Sequence, residues 1–151
     1  MKKICLLSSS GGHYEQLLML IPALKDYNFY IITERTEFLV DLKWKYHFLK
    51  QLNRKEILFF PKLIFNFIKS VAIYFREKPN IVICTGALST IPFCLLSKLF
   101  KTKFIYIESF AKVKTGSLTG RFLYYFADVF YVQWEELLET YPRAIFKGRI
   151  Y

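Results

Sequence analysis

Short, nearly uninterrupted apolar runs recur along the chain: KICLL at 3–7, NFYIIT at 28–33, IVIC at 81–84, FIYI at 104–107 and VFYV at 129–132. A strand of an antiparallel sheet with one wet face alternates apolar and polar residues. A strand buried on both faces reads as a continuous apolar run, and such strands belong to parallel sheets covered by helices. A further short strand is expected at Tyr46–Leu49. Helix-length segments separate most of these runs. His13–Lys25 places Leu17, Leu18, Ile21 and Leu24 on one face, and Pro22 inside it predicts a kink or a helix in two parts. Pro61–Glu77 begins on a proline and is closed by Pro79, as helix ends prefer. Further helices are expected from about Thr90 to Phe100, over Ser117–Phe126 and over Trp134–Tyr141. The alternation predicts an α/β, Rossmann-like domain with a mainly parallel sheet and helices on both faces. No repeat, linker or low-complexity tract divides it, so residues 1–151 are expected to form one domain.

Composition narrows the function classes. With 54% hydrophobic and 19% aromatic residues the chain is not intrinsically disordered. It is also basic, with a net charge of +10. Chains that bind only nucleic acid are usually basic without 16 Phe and 11 Tyr; a greasy and basic surface suits anionic lipid head groups. Cys5, Cys84 and Cys94 are odd in number, form no CxxC and sit in apolar runs, so buried reduced thiols are expected, with no metal and no cofactor. The apolar run after Lys2 and Lys3 ends at Ser8-Ser9-Ser10-Gly11-Gly12, too short for a secretory signal. The uncharged stretch 80–97 is interrupted by Thr85, Gly86, Ser89, Thr90 and Pro92, and reads as strand, turn and helix start rather than a membrane span.

In a parallel α/β sheet, ligands bind at the carboxyl ends of the strands. Three loops there hold small and polar residues: Ser8–His13, Thr85–Thr90 and Glu108–Thr119. Gly11 and Gly12 let backbone approach a ligand, and free N–H groups at the following helix start favour phosphate; the same pair also suits a tight turn with no ligand. His13 stands where the helix dipole favours a neutral imidazole, able to accept a proton from a hydroxyl or to hydrogen-bond a phosphate; a capping role is the alternative. Glu15 is either a second base or a first-turn carboxylate. Ser89 or Thr90 can cap the next helix. Glu108, at the carboxyl end of a buried strand, is a second candidate base.

Lys55, Lys62, Lys69 and Arg76 recur every seven residues, a spacing that drifts only about 20° per heptad and keeps the helical three on one side. Leu63, Ile64, Phe65, Phe67 and Ile68 surround them. A basic seam on a largely apolar helix fits an interfacial helix; a core helix with snorkelling lysines is the alternative. Lys62, Phe65, Lys69 and Arg76 are the candidate membrane residues.

SSSGGHYEQLLML near the start, PNIVICTGALSTIPFC in the middle and the long stretch FIYIESFAKVKTGSLTGRFLYYFADVFYVQWEELLETYPRAIFKG resemble the asparagine-linked glycosylation protein fourteen family. That family includes bacterial capsule and exopolysaccharide members of the PssD type. The resemblance implies the N-terminal, acceptor-side half of a GT-B glycosyltransferase similar to MurG, with the donor-binding half on a separate chain. It implies inverting transfer of a sugar to a polyprenyl-diphosphate-linked acceptor at the cytoplasmic face of the membrane. Ser10, Gly11, Gly12 and His13 would lie near the acceptor diphosphate, with Gly86, Ser89, Glu108 and Ser109 lining the same cleft. Gln133 and Trp134 match the family's terminal signature and would be structural or at the partner interface.

Eukaryotic members carry an N-terminal transmembrane anchor, whereas the first strand here begins at Lys3; peripheral attachment through the Pro61–Glu77 helix is therefore expected. The middle loop reads Thr-Gly-Ala-Leu-Ser-Thr where members often show Asn-Gly-Pro-Gly-Thr. The expected partners are a donor-binding glycosyltransferase subunit, the lipid-linked acceptor and an anionic membrane surface, and no nucleic acid. A scaffold without catalytic residues, or a basic polyanion-binding module, are the rival readings.

Overall fold

The computed structural model describes residues 2–36 and 43–151. Among the described residues, seven parallel strands form one sheet in the order β3-β2-β1-β4-β5-β6-β7. They are β1 (Lys3–Ser8), β2 (Asn28–Glu34), β3 (Tyr46–Leu49), β4 (Ile81–Gly86), β5 (Lys103–Ile107), β6 (Val129–Val132) and β7 (Ile145–Phe146). The helices are α1 (Gly12–Leu18), α2 (Ile21–Leu24), α3 (Phe59–Glu77), α4 (Ile91–Leu99) and α5 (Leu118–Leu123). The fold is thus the expected Rossmann-like α/β domain.

Side-chain alternation along the strands divides the core in two. Ile4 and Leu6 of β1 and Ile31 of β2 meet Leu17 of α1 on one face. Cys5, Leu7, Tyr30 and Ile32 turn the other way, into the layer holding Ile73 and Tyr74 of α3, Phe93 and Leu96 of α4 and Leu123 of α5. Both faces are therefore covered, which is why the strand sequences show no polar alternation. The three cysteines are free and buried.

The expected helix over 13–25 is two pieces, broken at Met19–Leu20, with Pro22 in the first turn of α2 where its missing N–H leaves no helical carbonyl unpaired. The expected helix over 134–141 is a single 3-10 turn at Glu135–Leu138. β7, only two residues long, is too short to leave a periodic signature. α3 is closed by Lys78 in the left-handed conformation, before Pro79.

A buried ion cluster ties the amino-terminal end of the sheet to α3. Glu77, 2% exposed, accepts from Lys3 Nζ (3.3 Å), Lys45 Nζ (2.9 Å) and His47 Nε2 (2.9 Å). Burial opposes its ionisation, but the hydrogen bonds from Lys45, His47 and Lys3 outweigh that and bring the carboxyl down to about 2.

Candidate functional site

The strand order reverses between β1 and β4, and at such a switch point the carboxyl-terminal loops part to leave a crevice. The Ser8–His13 loop follows β1 and the Thr85–Thr90 loop follows β4, so both meet there. Ser9 N–H donates to Gly86 carbonyl (2.7 Å), and Thr85 Oγ1 donates to His13 carbonyl (2.7 Å), lacing the two loops together.

His13 Nδ1 lies 2.7 Å from the Thr85 carbonyl oxygen. A carbonyl only accepts, so Nδ1 carries a proton, and Nε2 is the ring nitrogen left for a substrate. The ring packs against Gly86, where an added Cβ would stand 3.0 Å from both Cε1 and Nδ1 and where φ is +106°. Glycine at 86 is thus required twice, by the backbone and by the imidazole.

Gly11 (φ +72°) and Gly12 face open space, with nothing within 4 Å of an added Cβ. The N–H groups of Gly11, Gly12 and His13 have no acceptor among the described residues. Ser10 differs from the sequence expectation. Its N–H (3.2 Å) and its hydroxyl (2.8 Å) both donate to Glu34 Oε2, so its donors are committed to a carboxylate inside the chain. Glu34 closes β2 and was not singled out by sequence.

Glu108 also differs. Instead of a rim carboxylate open to a substrate, it is 0% exposed and accepts four hydrogen bonds. Oε1 takes Ser109 N–H and Ser117 Oγ–H (both 2.8 Å); Oε2 takes Ser117 N–H (3.1 Å) and Tyr141 O–H (2.9 Å). Burial, then the Glu108 charge, push the Tyr141 phenol well above its ordinary value, so it remains a donor. The carboxylate has no lone pair left for general-base work; it organises the loop that follows β5. Two glycines make room for it: an added Cβ at Gly120 would meet Glu108 Oε2 at 2.1 Å, and at Gly116 would meet Tyr141 Oη at 1.7 Å. Ser117 caps α5 by accepting from Gly120 N–H (2.8 Å).

The carbonyl of Glu108 accepts from two buried amides, Gln16 Nε2 (3.2 Å) and Gln133 Nε2 (2.9 Å). Gln16 Oε1 also accepts Phe110 N–H (3.1 Å), fastening α1 to the same loop. Gln133, 2% exposed, further accepts Ile150 N–H, so it is internal and not a partner-facing residue. Trp134 donates from Nε1 to Phe110 carbonyl (2.7 Å) and carries the Arg149 guanidinium 3.8 Å above its ring. Of the remaining expected residues, Gly86 packs against the His13 ring and Ser109 lies in the loop that Glu108 organises. Ser89 is fully buried, and its hydroxyl, like those of Ser8 and Tyr106, has no partner among the described residues. Among the described residues no cluster of three or more His, Cys, Asp or Glu could hold a metal.

The arrangement is an α/β domain that places an imidazole and unpaired backbone donors beside one another at the β1/β4 switch point. Solved structures share this domain as less than half of their length. A MurG from Acinetobacter baumannii superposes with a TM-score of 0.75 at 15% identity, covering 90% of this chain and 43% of that one. A UDP-N-acetylglucosamine 2-epimerase from Rickettsia bellii gives 0.75 at 13% identity, covering 99% and 45%. These likenesses define the class, an N-terminal-type domain of the GT-B fold.

Sequence comparison supplies the family. Residues 49–150 match the family described as oligosaccharide biosynthesis protein Alg14 like, and the chain belongs to it. The human protein named UDP-N-acetylglucosamine transferase subunit ALG14 is 28% identical over 97% of this chain and 82% of its own length. The Saccharomyces cerevisiae protein of the same name is 46% identical, over 36% of this chain and 23% of its own.

Proposed function

We propose that this chain is the acceptor-side subunit of a two-chain glycosyltransferase for lipid-linked oligosaccharide or capsular and extracellular polysaccharide assembly. It holds a polyprenyl-diphosphate-linked sugar at the cytoplasmic face of the membrane while a partner chain brings the nucleotide sugar. The observation that carries this reading is the likeness of this domain to less than half of a MurG, together with a relative, matched over 82% of its length, that is named as a transferase subunit. His13 Nε2 takes the proton of the acceptor hydroxyl. The freed oxygen attacks the anomeric carbon as its bond to the diphosphate breaks with inversion, and a nucleoside diphosphate leaves. The unpaired N–H groups at Gly11–His13 meet acceptor phosphate oxygens. Glu108 acts as a positioning residue through its loop, and exposed Arg149, stacked on half-buried Trp134, faces the partner.

Attachment to the bilayer is assigned to α3. At 3.6 residues per turn, its exposed arc carries Phe60, Ile64, Phe67 and Ile68 on one side and Lys62, Lys69 and Arg76 on the other, with Phe65 beside the cations. Phe60 is 71% and Ile68 63% exposed, far more apolar surface than a soluble helix ordinarily leaves wet. No helix among the described residues is long and apolar enough to cross a membrane. The test is reconstitution with the donor-binding partner on a lipid-linked acceptor. His13→Ala should lower kcat by about 100-fold, the low end for general-base catalysis, with the two chains still co-purifying. Unchanged turnover would leave the chain a scaffold.

A further inference from the structure

Beyond the carboxyl ends of β2 and β3, a cleft of about 460 Å³ opens against α3. Arg35, Lys50, Lys62 and Lys69 line it, over Phe48 and Phe65. Lys62 is ion-paired with Glu56, but Arg35, Lys50 and Lys69 have no carboxylate partner among the described residues. Like charges gathered around one concavity repel one another, and an anion between them relieves that repulsion.

The cations are held in place by the fold. Asn66 of α3, fully buried, accepts Lys50 N–H and donates to Lys50 carbonyl, both at 2.8 Å, clamping that residue to the helix. Arg35 N–H donates to Leu49 carbonyl (3.2 Å), prolonging the pairing of β2 with β3. Lys50 Nζ stands 4.1 Å and Lys69 Nζ 5.7 Å from the centroid of the Phe65 ring, so two ammonium groups share one aromatic ring. The mouth adjoins the shoulder of α3, beyond which lie Ile64 and Ile68.

We infer that this cleft binds the phosphate of an anionic bilayer phospholipid, with the acyl chains lying along the exposed apolar side of α3. The charge asks for an anion, and the adjoining apolar stripe asks for a hydrocarbon tail attached to it. The inference rests on the membrane reading of α3 and adds a discrete site to it.

Co-sedimentation tests it with three vesicle types: phosphatidylcholine alone, phosphatidylcholine with phosphatidylglycerol, and phosphatidylcholine with a trace of polyprenyl diphosphate. The proteins are the full chain, Arg35→Gln/Lys50→Gln, and Lys2→Gln/Lys25→Gln, which removes the same charge elsewhere. Affinity for phosphatidylglycerol vesicles should fall by about tenfold or more in the first double variant and by less than about threefold in the second. Equal losses overturn the cleft while the membrane reading of α3 survives. Absence of binding by the unaltered chain overturns both. Retention only on polyprenyl diphosphate overturns the phospholipid as occupant. Should the double variant lose its native circular dichroism, Lys69→Gln replaces it, with about a threefold loss expected and no loss refuting the cleft.

Discussion

Replacing Glu108 by Gln changes one atom and keeps the shape, yet the structure makes it costly. Each carboxylate oxygen receives one backbone N–H, from Ser109 on Oε1 and from Ser117 on Oε2. Hydroxyls can rotate, but these two N–H groups cannot. Whichever way the Gln amide is turned, its NH2 faces a backbone donor, which is left buried without an acceptor at about 1–3 kcal/mol. The remaining bonds pass from charge-assisted to neutral and lose part of their strength. The total comes to about 3 kcal/mol. With a urea m-value of about 2 kcal/mol/M, the unfolding midpoint should fall by roughly 1.5 M. Tyr141→Phe removes only one of the four donors and opposes nothing, so its loss should be about 1 kcal/mol. A Gln variant as stable as the parent, or less perturbed than Tyr141→Phe, would refute the closed hydrogen-bond account and return Glu108 to the set of available bases.

Gly86→Ala should lower both transfer by the reconstituted pair, at least tenfold, and the urea midpoint, because the new methyl meets the imidazole at 3.0 Å and turns Nε2 away while φ of +106° strains any side chain there; kcat and the urea midpoint check it, and an unchanged value of either refutes the corresponding half. For Glu77, the folded carboxyl lies below its unfolded value, so its contribution is fully present above about pH 4.5 and is lost as pH falls through about 2. At roughly 1.4 kcal/mol per pH unit this amounts to about 3 kcal/mol, and a urea-midpoint profile on Glu77→Gln should be flatter across that acid window than the parent's. Lys62→Glu/Lys69→Glu should abolish sedimentation with anionic vesicles; persistence would move the anchor away from α3.

Most of the scaffold is legible in the sequence because it rests on local patterns. Short β-branched runs such as IVIC favour strands covered on both faces, and the proline punctuation of 61–79 marks α3 to within two residues. The loops of the proposed site are legible as well, since small polar residues follow such strands, and the structure ties those after β1 and β4 together. What the sequence withholds are pairings between distant segments. Glu108 reads as an exposed base because its donors come from Ser117 and Tyr141, 9 and 33 residues on. Gln16 looks like an ordinary helix residue until the chain folds and brings it to a carbonyl 92 positions away. Glu34 lies 24 residues beyond Ser10, and no spacing rule connects them. His13 falls between these cases: its place at a helix start is local, whereas the carbonyl that fixes its tautomer belongs to Thr85.

The voids left by Gly116 and Gly120 reach beyond this molecule. A methyl at either position would fall inside the van der Waals radius of Tyr141 Oη or Glu108 Oε2. Any descendant that keeps the acid and the phenol must therefore keep both empty corners. One that has lost the carboxylate would still bring a methyl at 120 within 2.8 Å of Ser117 Oγ, so that corner opens only when the capping hydroxyl goes as well. In a related chain, a side chain at 116 would thus be the mark of a displaced phenol, and one at 120 the mark of a loop that no longer holds the buried anion and its capping serine.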